Sequence, residues 1–221
     1  MIVTTSLRTV SVALACIAVS ACSSVEFDEN TTTQAQFDTA LALNTRLVEA
    51  AVPVLGSATY EGEIQIDTMS GTTQSGSIRG GLVMEASFTS TDPITATAGG
   101  FAGTINGQRV TYSGQLSSND APGIYPVNRI TTSFLTANPT STMWVSIGGT
   151  LTNDETGVRN RLRAGFGEAE GSWLQGSFRG ADARAVTGDV QFNIEPRGGR
   201  SAITGTTNDA IVTGDFYAVA N

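Results

Sequence analysis

Residues 98–116 read AGGFAGTINGQRVTYSGQL, two short alternating runs joined at Asn106-Gly107. Both central residues of a type I′ turn need positive φ, so an Asn-Gly pair between alternating runs predicts a β-hairpin. The same pattern extends in both directions. Tyr60, Ile64 and Ile66 alternate with polar neighbours, as do Leu82, Met84, Ala86 and Phe88, then Val110, Tyr112 and Leu116, and finally Val190, Phe192 and Ile194. Period-two alternation between turn signals such as Ser70-Gly71 and Gly198-Gly199 reads as antiparallel strands, eight to ten of them between Ser57 and Val219. A meander of that length must hide its edges, and closure does so. The expected fold class is all-β: an antiparallel, eight-stranded up-and-down β-barrel preceded by one short N-terminal α-helix, with a two-sheet sandwich as the alternative. Glycines inside strands, as in GSIRGGLV (76–83) and GSFRG (176–180), are expected at bends. Trp144 and Trp173 are read as barrel fillers, because large rings in strands are usually buried. A membrane-embedded barrel is disfavoured, since neither a lipid-facing band nor aromatic girdles stand out.

Upstream, Thr33 and Gln36 have capping-box spacing. Phe37, Leu41, Asn44, Val48 and Ala51 recur at helical intervals, flanked by Ala40 and Leu47. The spacing predicts a helix from about Gln34 to Ala51, stopped by Pro53 and Gly56, with its apolar stripe against the main domain. The chain therefore divides into a helical unit at 34–55 and a barrel at 56–221. Residues 22–33 are polar and suit a flexible tether.

The first residues have the layout of a secretory signal: Arg8, an apolar run from Val10 to Val19, then small residues. That run is too short for a permanent membrane span. Val19-Ser20-Ala21-Cys22 resembles the bacterial lipobox. Residues 1–21 are thus expected to leave as a lipoprotein signal peptide, and Cys22 to carry the lipid that holds the protein to a membrane. A disulfide to Cys16 is excluded on this reading, because Cys16 lies in the removed segment. Ser23 and Ser24 stand where aspartate would resemble an inner-membrane retention signal, so the expected address is the outer membrane.

The formal charge is −8, all 12 basic residues are arginine, and there is no histidine. An acidic chain lacks the basic face that nucleic acid demands, and its net charge disfavours adsorption to anionic lipid. Without histidine the commonest general base and transition-metal ligand are missing. No metal, no cofactor and no catalysis are expected. GFGEAEG (165–171) lacks phosphate-loop spacing, and TNDETG (152–157) lacks the EF-hand pattern. Two segments could hold a ligand. The loop SSNDAPGIYPVNR (117–129) offers Tyr125 and Arg129, residue types that interfaces favour. GVRNRLRAG (157–165) puts Arg159, Arg161 and Arg163 on one face of a strand, where an anion could bind; Asp154 and Glu155 nearby would balance their charge.

GSFRGADARAVTGDVQF (176–192) resembles the barrel domain of transferrin-binding protein B-like surface lipoproteins, with Gly176, Phe178, Gly180, Ala183, Val186, Gly188 and Val190 on the motif positions. SATYEGEIQI (57–66) is similar to that family's first barrel strand. Arg179, Ala181, Arg184 and Ala185 depart from the pattern, and this chain has one barrel where transferrin receptors have two lobes, so transferrin binding is not implied. The resemblance implies a surface or outer-membrane lipoprotein presenting loops to an extracellular protein or small-molecule ligand, as in nutrient or iron acquisition; a monomer is expected. A periplasm-facing accessory lipoprotein is the alternative. A lipocalin-like carrier would need an open cavity in the barrel. Replacing Cys22 by Ala should release the protein from sedimented membranes; continued membrane binding would remove the lipobox reading.

Overall fold

The computed structural model describes residues 25–52, 56–119, 127–135, 138–164 and 171–221. The signal segment, Cys22, Pro53, Tyr125 and most of GFGEAEG lie outside them. One helix, α1 (Gln34–Thr45), is followed by β1 (Ser57–Ser70), β2 (Thr73–Ser87), β3 (Ile94–Ile105), β4 (Gln108–Ser117), β5 (Asn128–Ser133), β6 (Thr140–Ser146), β7 (Gly148–Asn153), β8 (Arg159–Leu162), β9 (Trp173–Arg179), β10 (Ala185–Arg197) and β11 (Ala210–Ala220).

These segments close into an eight-stranded antiparallel barrel in the order β1-β2-β3-β4-β7-β8-β10-β11, with β11 pairing back onto β1. The segments outnumber the expected eight to ten strands for a geometric reason. β7 continues β6, and both face one long composite partner on each side: β4 with β5, and β8 with β9. Consistently, β10 pairs β9 through its first half and β8 through its end. Three of the eight strands are thus interrupted. At one interruption the Asn128 side chain replaces a ladder, accepting from Ile94 N (3.0 Å) and donating to Ile94 O (2.8 Å). The Asn106-Gly107 hairpin forms, with φ of 51° and 78°.

The alternating apolar set points inward. Ile64, Ile78, Leu82, Phe101, Leu116, Leu151, Phe192 and Phe216 are fully buried, while Phe88 and Val110 are half-buried. At the base of the barrel the connection 198–209 folds inward, with Ile203 buried and its carbonyl accepting from Met69 N (2.7 Å). At the opposite rim Phe178 packs edge-on against Tyr60 (6.0 Å) and Phe88 (6.3 Å). The interior is a packed core, as an eight-stranded barrel is just wide enough to be.

The predicted helix is shorter than its apolar spacing suggests. Its capping box forms as expected, with Thr33 Oγ1 accepting from Gln36 N and Gln36 Oε1 accepting from Thr33 N. It ends at Thr45 because the next residues give their backbone groups to strands. Gly180 N donates to Val48 O (2.8 Å), Ala50 N to Phe178 O (2.9 Å) and Ser141 N to Ala50 O (3.0 Å). Val48 is consequently 77% exposed, outside any apolar stripe, and Phe37 alone on the helix is fully buried, against Tyr217 (5.6 Å).

Residues expected to be a free tether lie on the barrel from Val25 onward. Val25 O accepts from Gln115 Nε2 on β4 (2.6 Å), and Asn30 N donates to Gly100 O on β3 (2.8 Å). Between them the Phe27 ring fills a slot over Gly81, Gly99 and Gly100, where added Cβ atoms would lie 2.7 Å, 2.7 Å and 3.2 Å from Phe27 side-chain atoms. The two strand irregularities at Arg79/Gly81 and Gly99/Phe101 flank this slot. We call residues 25–33 the strap. Truncating Phe178 to Ala should cost about 3–5 kcal/mol, the usual range for a buried Phe; urea melts showing under 1 kcal/mol would mean that the rim does not seal the core.

Candidate functional site

With the interior filled, groups free to meet a partner lie on the rim and the outer wall. At the rim a cleft of about 550 Å³ is lined by Ala51, Val52, Phe88, Pro93, Ile130 and Phe134 among others. Its edge is the β5–β6 connection, where Phe134 is 76% and Leu135 95% exposed. Two adjacent large apolar residues at such exposure are costly to keep in water. Below the cleft the Tyr60 hydroxyl donates to Ala183 O (2.9 Å), and burial pushes its pKa up to about 12. The cleft is therefore separated from the core by the layer of Tyr60, Phe88 and Phe178.

The outer wall carries a second cluster. Arg129 on β5 stands directly opposite Trp144 on β6, with its guanidinium carbon 5.0 Å from the ring centroid. Trp144 in turn meets Trp173 of β9 edge-on at 5.8 Å. Both tryptophans are half-buried on the outside, so they do not fill the barrel. The inward positions of this stretch belong to Met143, Val145 and Leu174, which are fully buried.

Arg159 and Arg161 of β8 and Arg163 just beyond it alternate outward between buried Asn160, Leu162 and Ala164, on one face as the spacing predicts. Arg161 and Arg163 are paired from an unexpected side. Glu195 on β10, nearly buried, accepts from Arg163 Nε (3.0 Å), lies 3.8 Å from Arg161 Nη1, and is in contact with Arg197. Asp209 takes a second Arg163 nitrogen at 3.1 Å. Asp154 instead accepts from Ser113 N (3.1 Å). Arg129 and the row on β8 share one wall but not one pocket, and Tyr125 lies outside the described residues.

The motif residues hold the barrel together. Gly176 and Gly188 face each other across β9 and β10. A Cβ on Gly188 would come 1.9 Å from Gln175 O, and one on Gly176 would strike the Phe216 ring at 2.7 Å. Phe178, Ala183 and Val186 are buried, and Gly180 opens the tight turn Ala181–Ala183. None of these side chains reaches the surface of the wall.

Beneath α1 the wall is acidic. Burial, and then Asp189, Asp67 and Asp38, raise the pKa of Asp215; burial and Asp38 also raise that of Asp67, partly offset by a hydrogen bond from Gln65. Arg79 is lowered by burial, against the opposing pull of Glu63 and Asp38. The Tyr217 hydroxyl, which donates to Glu63 Oε2 (2.9 Å), is pushed up by burial and then by that carboxylate.

Sequence reasoning missed the rim pair and the outward tryptophans. Phe134-Leu135 did carry a signal: two large apolar residues inside SFLTANP, where no strand phase accounts for both. Met143, Trp144 and Val145 form an unbroken apolar run from which no face can be read. The chain matches no family model, no curated protein and no solved structure.

A carboxylate whose pKa is higher folded than unfolded favours folding when protonated, and this benefit is lost as pH rises through the folded value. Asp215→Asn should therefore raise the melting temperature at pH 7, with the gain shrinking as pH falls towards about 4, the ordinary aspartate range. A gain that persists unchanged at pH 4 would contradict the burial of that carboxylate.

Proposed function

We propose that the protein is a non-catalytic, lipid-anchored binding module of the bacterial outer membrane, of the transferrin-binding protein B-like kind, that meets a protein or small ligand through its rim. The observation that carries this reading is the exposed Phe134-Leu135 pair beside an apolar cleft, mounted on a barrel whose core is already sealed. An apolar patch rimmed by loops on a rigid scaffold is the usual form of an interaction site. Burying such a patch against a partner supplies affinity without any reacting group. The absence of histidine from the chain points the same way.

Two further features support the parts of this reading. The barrel is apolar inside and bears Glu61, Gln65, Asp67 and Glu85 outside, the inverse of a lipid-embedded barrel, so an N-terminal lipid is the simpler attachment. The packed interior favours loop-mediated capture over a lipocalin-like carrier. The family reading rests on the sequence motif from Gly176 to Val190.

Protease shaving of intact cells should degrade the protein while a periplasmic lipoprotein survives. Digestion only after the outer membrane is broken would move the search to periplasmic partners. The purified double variant Phe134→Asp, Leu135→Asp should keep its stability within about 0.5 kcal/mol, as surface changes do; a loss of several kcal/mol would make the pair structural and end its candidacy as a binding edge.

A further inference from the structure

The outer surface is divided unevenly. The strap lies on β4, β3, β2 and β1, through Gln115, the glycine slot and Glu63, which accepts from Asn30 Nδ2 (3.0 Å). Helix α1 packs on β10 and β11. The wall of β5, β6, β7, β8 and the start of β9 carries neither, and it is there that Arg129, Arg159, Arg161, Trp144 and Trp173 stand, with Arg163 just past the end of β8. The acids Asp67, Asp189 and Asp215 gather beneath the helix instead, facing Asp38 on it. A net charge of −8 therefore conceals a segregated distribution.

We propose that this arginine and tryptophan wall is the face that lies against the anionic headgroups of the membrane. The inference rests in part on the lipid-anchored reading above, and three observations meet in it. First, guanidinium groups bind phosphate oxygens through paired donors, and Glu195 holds Arg161 and Arg163 in place while their side chains stay 54% and 44% exposed. Second, tryptophan, like tyrosine, is enriched at the water-lipid boundary, and both tryptophans of the chain are on this wall. Third, the chain enters the structure beside it. Val25 is bonded to β4, which pairs with β7. Three residues from Cys22 to Val25 span at most about 10 Å, roughly the width of two strands. A lipid on Cys22 would hold the barrel flush with the bilayer on this side, at a distance from which the arginines touch headgroups.

The chain itself supplies the probe. Because Trp144 and Trp173 are its only tryptophans, intrinsic emission reports this wall alone. The lipidated full chain, reconstituted into vesicles of phosphatidylcholine or of phosphatidylcholine with phosphatidylglycerol, is read by emission wavelength and by quenching from lipids brominated near the headgroup. A blue shift and strong quenching are expected with phosphatidylglycerol, most of it lost in high salt and in Arg159→Glu, a variant that leaves Glu195 its partners. Identical emission and quenching in both vesicle types, with the protein still floating on both, would overturn the wall assignment and leave the anchor standing. Failure to float on neutral vesicles, with the anionic response intact, would remove the anchor and keep the wall. Emission that shifts with protein concentration in the absence of lipid would show a second copy covering the wall, which also overturns the assignment.

Discussion

Closing eight strands into a barrel leaves an interior only as wide as the side chains that fill it. This crowding governs the other choices the chain makes. Large rings are admitted where the facing strand has no side chain: Phe216 over Gly176, and Phe101 against Gly80. Aliphatic residues from alanine to methionine occupy most of the remaining inward positions, and base and rim are stopped by Ile203 and Phe178. Such a core has no room for both packing and a ligand. Chemistry that would sit inside a larger barrel is displaced to the loops and the outer wall.

The outer belt answers a different problem. Helix α1 has 12 residues, too few to hold itself in water, and it buries little apolar surface. Its terminal backbone groups need partners from elsewhere. Arg79 on β2 donates through Nε to Thr32 O (3.0 Å) and through Nη1 to Gln34 Oε1 (2.7 Å), at the entry to the helix. Arg179 on β9 donates through Nη1 to Thr45 O (3.1 Å) and Leu47 O (3.2 Å), at its exit. Phe27 pins the strap before the first of these clamps. The strap and helix are thus fastened to the barrel at both ends of the helix and ahead of it, and their position depends on strand geometry more than on helix propensity.

The barrel was legible in the sequence because its information is local. Asn106-Gly107, the alternation of Leu82, Met84 and Ala86, and the capping box at Thr33 each need only a few neighbouring residues. The features that escaped are those decided by distant partners. Nothing near Val48 says that its carbonyl will be taken by Gly180, more than a hundred residues on, and so the helix reads longer than it is. Nothing near Phe27 says that three glycines from two other strands will form a slot for it, and so the strap reads as a tether. At the candidate sites the strand spacing of Arg159, Arg161 and Arg163 was readable, whereas their neutralising partner, Glu195, comes from β10. The outward face of Trp144 was hidden by the apolar residues on either side of it.

The use of arginine to the exclusion of lysine follows from the same geometry. Arg179 contacts two backbone carbonyls, the Thr187 hydroxyl (2.7 Å) and Glu49 (3.3 Å) with one planar group. Arg79 likewise divides its donors between Thr32, Gln34 and Ser77. An ammonium has only three donors clustered on one atom and binds water more strongly, so it could not reach acceptors on separate elements. Arg129 adds a planar face that stacks on Trp144, a contact that guanidinium makes more often than ammonium. On a wall facing phosphates the same flat fork would serve again, pairing two donors to one anion while a carboxylate behind it fixes its direction. A chain whose clamps and wall both call for planar, multidentate cations has a physical reason to carry no lysine at those positions.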